Sequence, residues 1–246
     1  MVDIYIENIS KEFHSVTGPV FAVKNLTLSI TRGSVFGFLG PNGAGKTTTM
    51  KMLVGLERPT SGRISITGGS PESIDIRRNI GFMPEAPAFY LYLTGREFLQ
   101  FIADIFAIAN ASARIDLVLA EVELTGSAER QIRTYSKGML QRLGLAQALI
   151  NDPQILFLDE PLDGLDPLGR AEIKRIFLGL KKRGKTIFLN SHILADVAEI
   201  CETVGIIDKG KLIVCDTPLA ISSGHTDLED AFVHIIKHDR EKNTHL

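Results

Sequence analysis

Apolar residues along the chain follow three successive patterns. Residues 4–9, 20–30, 35–39 and 63–67 are short runs rich in Val, Ile, Phe and Thr and bounded by Gly and Pro, the pattern of strands joined by tight turns. Residues 46–55 then read as a helix and residues 80–83 as a short strand. From residue 94 to residue 150 the apolar positions switch to helical spacing. Thr94-Gly-Arg-Glu97 has the form of a capping box, and Phe98, Leu99, Phe101, Ile102, Ile105 and Phe106 follow it. At that spacing these side chains are expected against a core or a partner helix rather than a ligand. The last third alternates strand and helix. Residues 154–158 are nearly continuously apolar, as in a central parallel strand covered on both faces. Asp166-Pro167 is a helix start, with Asp as N-cap and Pro in the first turn. Residues 185–189, 192–201, 204–207 and 212–214 continue the alternation, Thr217-Pro218 opens a short helix, and the polar residues 237–246 are expected to fray. The whole predicts an α/β core interrupted by a helical insertion of about 60 residues.

Composition narrows the function classes. The 246 residues suffice for one large domain or two lobes sharing a core, and 44% of them are apolar. With 27 basic and 29 acidic residues, the net charge of −2 offers no grip on a nucleic-acid backbone. The basic cluster Lys181-Lys182-Arg183 reads as the solvated end of a helix, where cations are favourable. Cys201 and Cys215 stand without a CxxC pair or clustered histidines, so they are expected to be two free core thiols of a cytosolic protein rather than metal ligands. The N-terminal residues carry acids and no long apolar core, unlike a signal peptide. No stretch approaches the roughly 18 continuous apolar residues that span a bilayer.

The chemistry begins at Gly40-Pro41-Asn42-Gly43-Ala44-Gly45-Lys46-Thr47, which fits G-x-x-x-x-G-K-[ST] in full, between an apolar strand and a helix. By residue frequency alone the octet should arise by accident in roughly one chain in a hundred of this length, and its flanks make that rarer. The glycines let several backbone N–H groups turn toward one oxyanion at a helix N-terminus. Lys46 adds a full charge for the β/γ-phosphates, the Thr47 hydroxyl suits Mg²⁺, and Thr48 lies toward the α-phosphate. The second half of such a site is an acid at the end of a neighbouring strand. Ile155-Leu156-Phe157-Leu158-Asp159-Glu160 supplies two. Strand alternation is expected to send Asp159 toward a metal shell and Glu160 toward an attacking water.

With these residues in place, the chain resembles the ATP-binding cassettes of ABC transporters over nearly its whole length. Tyr135-Ser136-Lys137-Gly138-Met139-Leu140-Gln141-Arg142 is similar to the family signature, usually L-S-G-G-Q. Pro161-Leu162-Asp163-Gly164-Leu165-Asp166 is similar to the loop that follows the acids, Asn190-Ser191-His192 to the switch histidine segment, and Phe13 to the aromatic residue set against adenine. Gly81-Phe82-Met83-Pro84-Glu85 matches the loop that carries a Gln in most members. The resemblance implies that Phe13, Pro41 to Thr48, Ser136 and Gly138 bind ATP, with Ser136 meeting the γ-phosphate held by the other subunit. It further implies that Thr47, Asp159 and Glu85 hold Mg²⁺, that Glu160, His192 and Lys46 serve catalysis, and that Asp163 and Asp166 carry contacts between subunits. Lys137 replaces a signature glycine, either reaching toward phosphate or pointing into solvent, and Met139 replaces the glutamine. The signature variant points to export.

The fold class implied is α/β: a P-loop NTPase core with a mostly parallel sheet, an N-terminal antiparallel β-subdomain and an inserted α-helical subdomain. Residues 1–85 and 151–216 form the core with its β-subdomain, 86–150 the helical signature subdomain, and 217–246 a C-terminal helical tail. The implied partners are a second cassette, a homodimer in preference to a heterodimer, and integral membrane permease subunits at the inner face of the cell membrane, with no nucleic acid. Phe89, Tyr90, Leu91, Tyr92 and Leu93 either form a docking groove or pack internally. Two other classes compete: a soluble cassette acting on nucleic acid or ribosomes, and a non-hydrolytic nucleotide-binding regulator. The first lacks its usual second cassette, coiled coil or zinc motif here, and Glu160 with His192 speaks against the second.

Overall fold

The computed structural model describes residues 1–15 and 18–244. In chain order, strands β1 (Val2–Ser15), β2 (Gly18–Thr31) and β3 (Val35–Leu39) lead into helix α1 (Lys46–Leu53), followed by β4 (Ser61–Ile66), α2 (Ile74–Arg78) and β5 (Ile80–Met83). Three helices come next: α3 (Gly95–Ile105), α4 (Ala111–Glu121) and α5 (Lys137–Leu149). The chain then alternates through β6 (Ile155–Asp159), α6 (Pro167–Lys182), β7 (Thr186–Asn190), α7 (Leu194–Ile200) and β8 (Thr203–Asp208). It closes with β9 (Lys211–Asp216), α8 (Pro218–Ile221) and α9 (Leu228–Thr244).

Two sheets result. One is antiparallel, in the order β2-β1-β4; the other runs β5-β6-β7-β3-β8-β9 and is parallel except for β9. All five positions of β3, β6 and β7 are buried, and side-chain alternation divides them between two cores. Val35, Leu39, Leu156, Leu158, Ile187 and Leu189 join the core shared with α3 to α7. Phe36, Phe38, Ile155, Phe157 and Phe188 face the antiparallel sheet. There the Phe188 ring sits 5.3 Å from Phe36, 5.5 Å from Phe38 and 5.8 Å from Phe157. Continuous apolar strands are therefore the consequence of cover on both faces. Asp3 ties the two sheets together: fully buried, it accepts from Arg32 Nε at 2.8 Å and from the Thr186 hydroxyl at 2.6 Å.

Local signals set the helix starts. Thr94 and Glu97 form the reciprocal capping box, with bonds of 3.1 and 2.8 Å. Asp166 caps Gly169 N–H at 2.7 Å, and Thr217 caps Ala220 N–H at 3.1 Å.

Two expectations are corrected, for Cys215 and for the tail, and the apolar run after Thr94 divides between core and surface. Cys201 is a buried thiol whose pKa burial raises, but Cys215 is exposed, because β9 is an edge strand with β8 as its one strand neighbour. In α3, Phe98 and Leu99 are buried while Phe101 and Ile105 stay exposed, since the helix has one covered face. The tail does not fray from residue 237. It stays helical to Thr244, with Leu228, Ala231, Phe232, Ile235 and Ile236 packed at helical spacing, while His245 and Leu246 lie outside the described residues. Arg240 fastens that helix to the end of β8, donating to both Asp208 oxygens at 2.8 and 3.1 Å.

That guanidinium holds the Asp208 carboxyl below the ordinary carboxylate range. A depressed folded-state value contributes stability that is complete above the ordinary Asp value of about 3.9 and is lost as pH falls through the lower folded value. Arg240→Ala is therefore expected to melt a few degrees below the wild type at neutral pH, with the gap closing in acid. Identical melting curves at pH 7 would contradict the pairing.

Candidate functional site

The loop from Gly40 to Gly45 leaves the end of β3 and is squeezed between two other strands. A Cβ on Gly40 would lie 2.3 Å from the Ile207 carbonyl of β8. Gly45 has φ +110°, and its Cβ would lie 2.4 Å from the Ala22 carbonyl of β2. No other residue type satisfies both demands at Gly45. The loop is tied to the β8–β9 turn, where Gly210 N–H donates to Ala44 O at 2.9 Å. It delivers the chain into α1, whose first N–H groups have no intrahelical acceptor and aim with the helix dipole toward an anion.

Lys46 is 8% exposed, and its ammonium donates to Gly40 O at 2.7 Å and Pro41 O at 3.3 Å. Burial pushes this ammonium below the ordinary lysine value, opposed by the carboxylates of Glu160, Asp159 and Glu85. A buried cation bonded to neutral carbonyls is poised to exchange them for an anionic oxygen.

Strand register assembles the acidic side. Asn190 at the end of β7 pairs with Phe38 of β3 on one side and with Asp159 of β6 on the other. Its Nδ2 donates to Asp159 Oδ1 at 2.9 Å, with both side chains buried. The sequence predicts that strand alternation parts the two acids; instead β6 ends at Asp159, and Glu160 turns off at φ +51°. That left-handed backbone is pinned on both sides. Glu160 N–H donates to Asn190 O at 3.1 Å, and Glu160 O accepts from Gln141 Nε2 at 3.0 Å. The Glu160 carboxylate then meets His192, accepting from its backbone N–H at 3.2 Å and lying 2.7 Å from Nδ1 of its ring.

These groups line one cavity of about 660 Å³: Asn42 to Thr48, Glu85, Asp159, Glu160 and His192, together with Ala22 and Asp163. The donors suited to a cation are hard oxygens, the Thr47 hydroxyl and the Asp159 and Glu85 carboxylates. Among the described residues no three His, Cys, Asp or Glu converge on one point. A cation here would complete its shell with water and phosphate oxygens, which is the habit of Mg²⁺.

Other sequence candidates stand elsewhere. Phe13 is 41% exposed on β1, with Lys11 Nζ 4.9 Å from its ring centroid, and it does not line this cavity. Ser136 is the N-cap of α5, accepting from Met139 N–H at 3.3 Å, and with Gly138 it borders a different depression. Phe89 and Leu93 pack onto the core, whereas Tyr90, Leu91 and Tyr92 are exposed, so that stretch is divided between both readings. Sequence reasoning gave no role to Asn190, Gln141 or Ala22. A polar residue ending an otherwise apolar strand was the available signal for Asn190; Ala22 had none.

Comparison with known proteins gives the family and the fold. The family model described as ABC transporter matches residues 23–163. The chain is 46% identical over 213 residues to an uncharacterized ABC transporter ATP-binding protein of Synechocystis sp., covering 85% of this chain and 60% of that relative. It is 46% identical over 195 residues to the bacitracin transport ATP-binding protein BcrA of Bacillus licheniformis (78% of this chain, 63% of the relative). It is 43% identical over 199 residues to a fluoroquinolones export ATP-binding protein of Mycobacterium tuberculosis (80% and 65%). The chain thus spans about three fifths of the length of the relatives it matches. Among solved structures, an ATP-binding subunit of an ABC transporter superposes with TM-score 0.83 at 28% identity, covering 95% of this chain and 99% of the other. A dimeric ATP-binding cassette in a post-hydrolysis state, bound to ADP and Pi, superposes with TM-score 0.80 at 25% identity (87% and 98%).

The squeezed loop makes a direct prediction. Gly45→Ala forces a Cβ against the Ala22 carbonyl, with backbone strain on the order of 1–3 kcal/mol. Calorimetric melting is expected to fall by several degrees, and an unchanged melting temperature would show that the loop has slack.

Proposed function

Because this chain belongs to the ABC transporter family, among its ATP-binding proteins, we propose that it binds and hydrolyses ATP as one half of a dimer that drives a transporter. The observation that carries this is the separation of Ser136 and Gly138 from the Lys46 cavity within one chain. If one triphosphate needs both a phosphate loop and the head of α5, the two must come from different chains. A two-fold, head-to-tail pair supplies both halves twice, and a second copy of this chain is sufficient, so a homodimer is favoured over a heterodimer.

In each site Lys46 and the N–H groups of Gly43 to Thr48 bind the phosphates, with Asn42 and the Pro41 carbonyl framing the loop. Phe13 stacks on adenine at the margin. Thr47, Asp159 and Glu85 would hold Mg²⁺, which when bound neutralises charge on the transferred phosphoryl group. Glu160 orients a water and takes its proton as the water oxygen attacks the γ-phosphorus and the bond to the bridging oxygen of ADP breaks. His192 holds Glu160 through ring and backbone and bonds the γ-phosphate. Ser136 and Gly138 of the other copy close over that phosphate. ATP then favours the closed dimer by differential contact, and loss of the γ-phosphate releases it.

Among the described residues no helix is long and apolar enough to cross a membrane. An apolar groove between α3 and the core is lined by Leu56, Phe82, Ile102, Ile105 and Phe106, with Leu56 62% and Ile105 65% exposed. Such a groove suits an amphipathic helix of a permease subunit. The location implied is the cytoplasm, peripheral on the inner face of the cell membrane. A relative named for fluoroquinolones export supports the export direction.

Lys46→Ala is expected to weaken ATP binding tenfold or more in titration calorimetry, since a charge-assisted contact contributes about 1.5–3 kcal/mol. Undiminished binding would remove Lys46 from the phosphate site. Glu160→Gln is expected to retain ATP, to release phosphate about 100-fold more slowly, and to elute as a dimer in gel filtration with ATP. Turnover at the wild-type rate would take Glu160 out of the reaction.

A further inference from the structure

Lys137 has no role in the assignments above, and its place is not explained by helix stability. It is the first residue of α5, where a cation opposes the helix dipole. Its ammonium lies 3.1 Å from Asp163 Oδ2, joining the head of α5 to the turn that follows β6. On the way its side chain fills the space over Gly164, where a Cβ would meet Nζ at 1.8 Å and Cε at 2.2 Å. Asp163 in turn borders the hydrolytic groups. Its Oδ1 lies 3.9 Å from His192 Nε2, and its N–H donates to the Glu160 carbonyl at 3.1 Å. With the 2.7 Å contact from His192 Nδ1 to Glu160, the groups form a line from Glu160 through His192 and Asp163 to Lys137.

We propose that Lys137 is a positioning residue for hydrolysis, anchoring Asp163 and with it the turn that holds Glu160 against His192. This rests on the hydrolytic reading given above. The imidazole of His192 stands between the Glu160 and Asp163 carboxylates, and Lys137 pairs with Asp163 on the side away from the ring. Without that ammonium, Asp163 loses its tether to the head of α5, and the turn that carries Glu160 loosens. The glycine usual at this signature position has no such reach. Lys137 and Asp163 are 62% and 47% exposed, so the link is modest and screened by salt.

The test is steady-state hydrolysis by the full chain. Lys137→Met is expected to lower kcat about threefold at low ionic strength, with KM for ATP and the melting temperature unchanged, the size an exposed ion pair permits. Lys137→Arg restores the rate, Asp163→Asn reproduces the loss, and the double variant Lys137→Met/Asp163→Asn loses no more than either single one. The deficit vanishes at about 1 M salt, where screening silences the pair in the wild type as well. A wild-type kcat in Lys137→Met, no rescue by Arg, or a double variant showing the product of the two single losses would each overturn the positioning role. A wild-type chain that releases no phosphate from ATP would overturn the hydrolytic reading instead, and this inference with it.

Discussion

Three parallel strands end side by side, and the alignment of their C-terminal ends sets the rest of the site. Phe38 of β3, Asn190 of β7 and Asp159 of β6 lie next to one another in register. From the first strand springs the Lys46 loop; the other two present the Asn190–Asp159 hydrogen bond at 2.9 Å. A slip of one residue in any strand would turn its side chains to the opposite face. Such a slip is costly because each strand feeds two cores at once, aliphatic residues toward the helices and mainly phenylalanines, with Ile155, toward the antiparallel sheet. The chemistry is thus held by burial that occurs beneath it, at positions that never touch a ligand.

What was legible in the sequence was local. The strand at Ile80–Met83, the capping box at Thr94, the cap at Asp166 and the turn into α1 each depend on residues within a few positions of one another. The octet ending in Lys46-Thr47 marked the cavity because its glycines are demanded by the loop itself. What stayed hidden depends on distant partners. The left-handed turn at Glu160 is stabilised by Asn190 and Gln141, 30 and 19 positions away in the chain. Neither of the alternatives open for Lys137 described its pairing with Asp163, which only the meeting of α5 with the β6–α6 turn creates. The ordered end of α9 and the exposure of Cys215 likewise follow from which faces are covered, which composition does not reveal.

Within one chain the two elements proposed to bind phosphate occupy separate surfaces: the Lys46 loop with its acids, and the α5 head with Ser136 and Gly138. Asp159 ends a buried strand, whereas Glu85, Glu160 and His192 lie outside the helices and strands. Site groups set partly on a buried strand and partly on turns suit the proposed coupling of hydrolysis to the joining and parting of two copies.

The central claim is that each ATP is completed by two chains, and mixing two disabled chains tests it most directly. Lys46→Ala removes the cation of the phosphate loop, and Gly138→Asp places a carboxylate at the α5 head, where an added Cβ meets nothing closer than Leu165 at 3.4 Å. Each alone should release almost no phosphate. Mixed, they form heterodimers with one intact site, and the account predicts that phosphate release returns. A mixture as inactive as its separate components would contradict it.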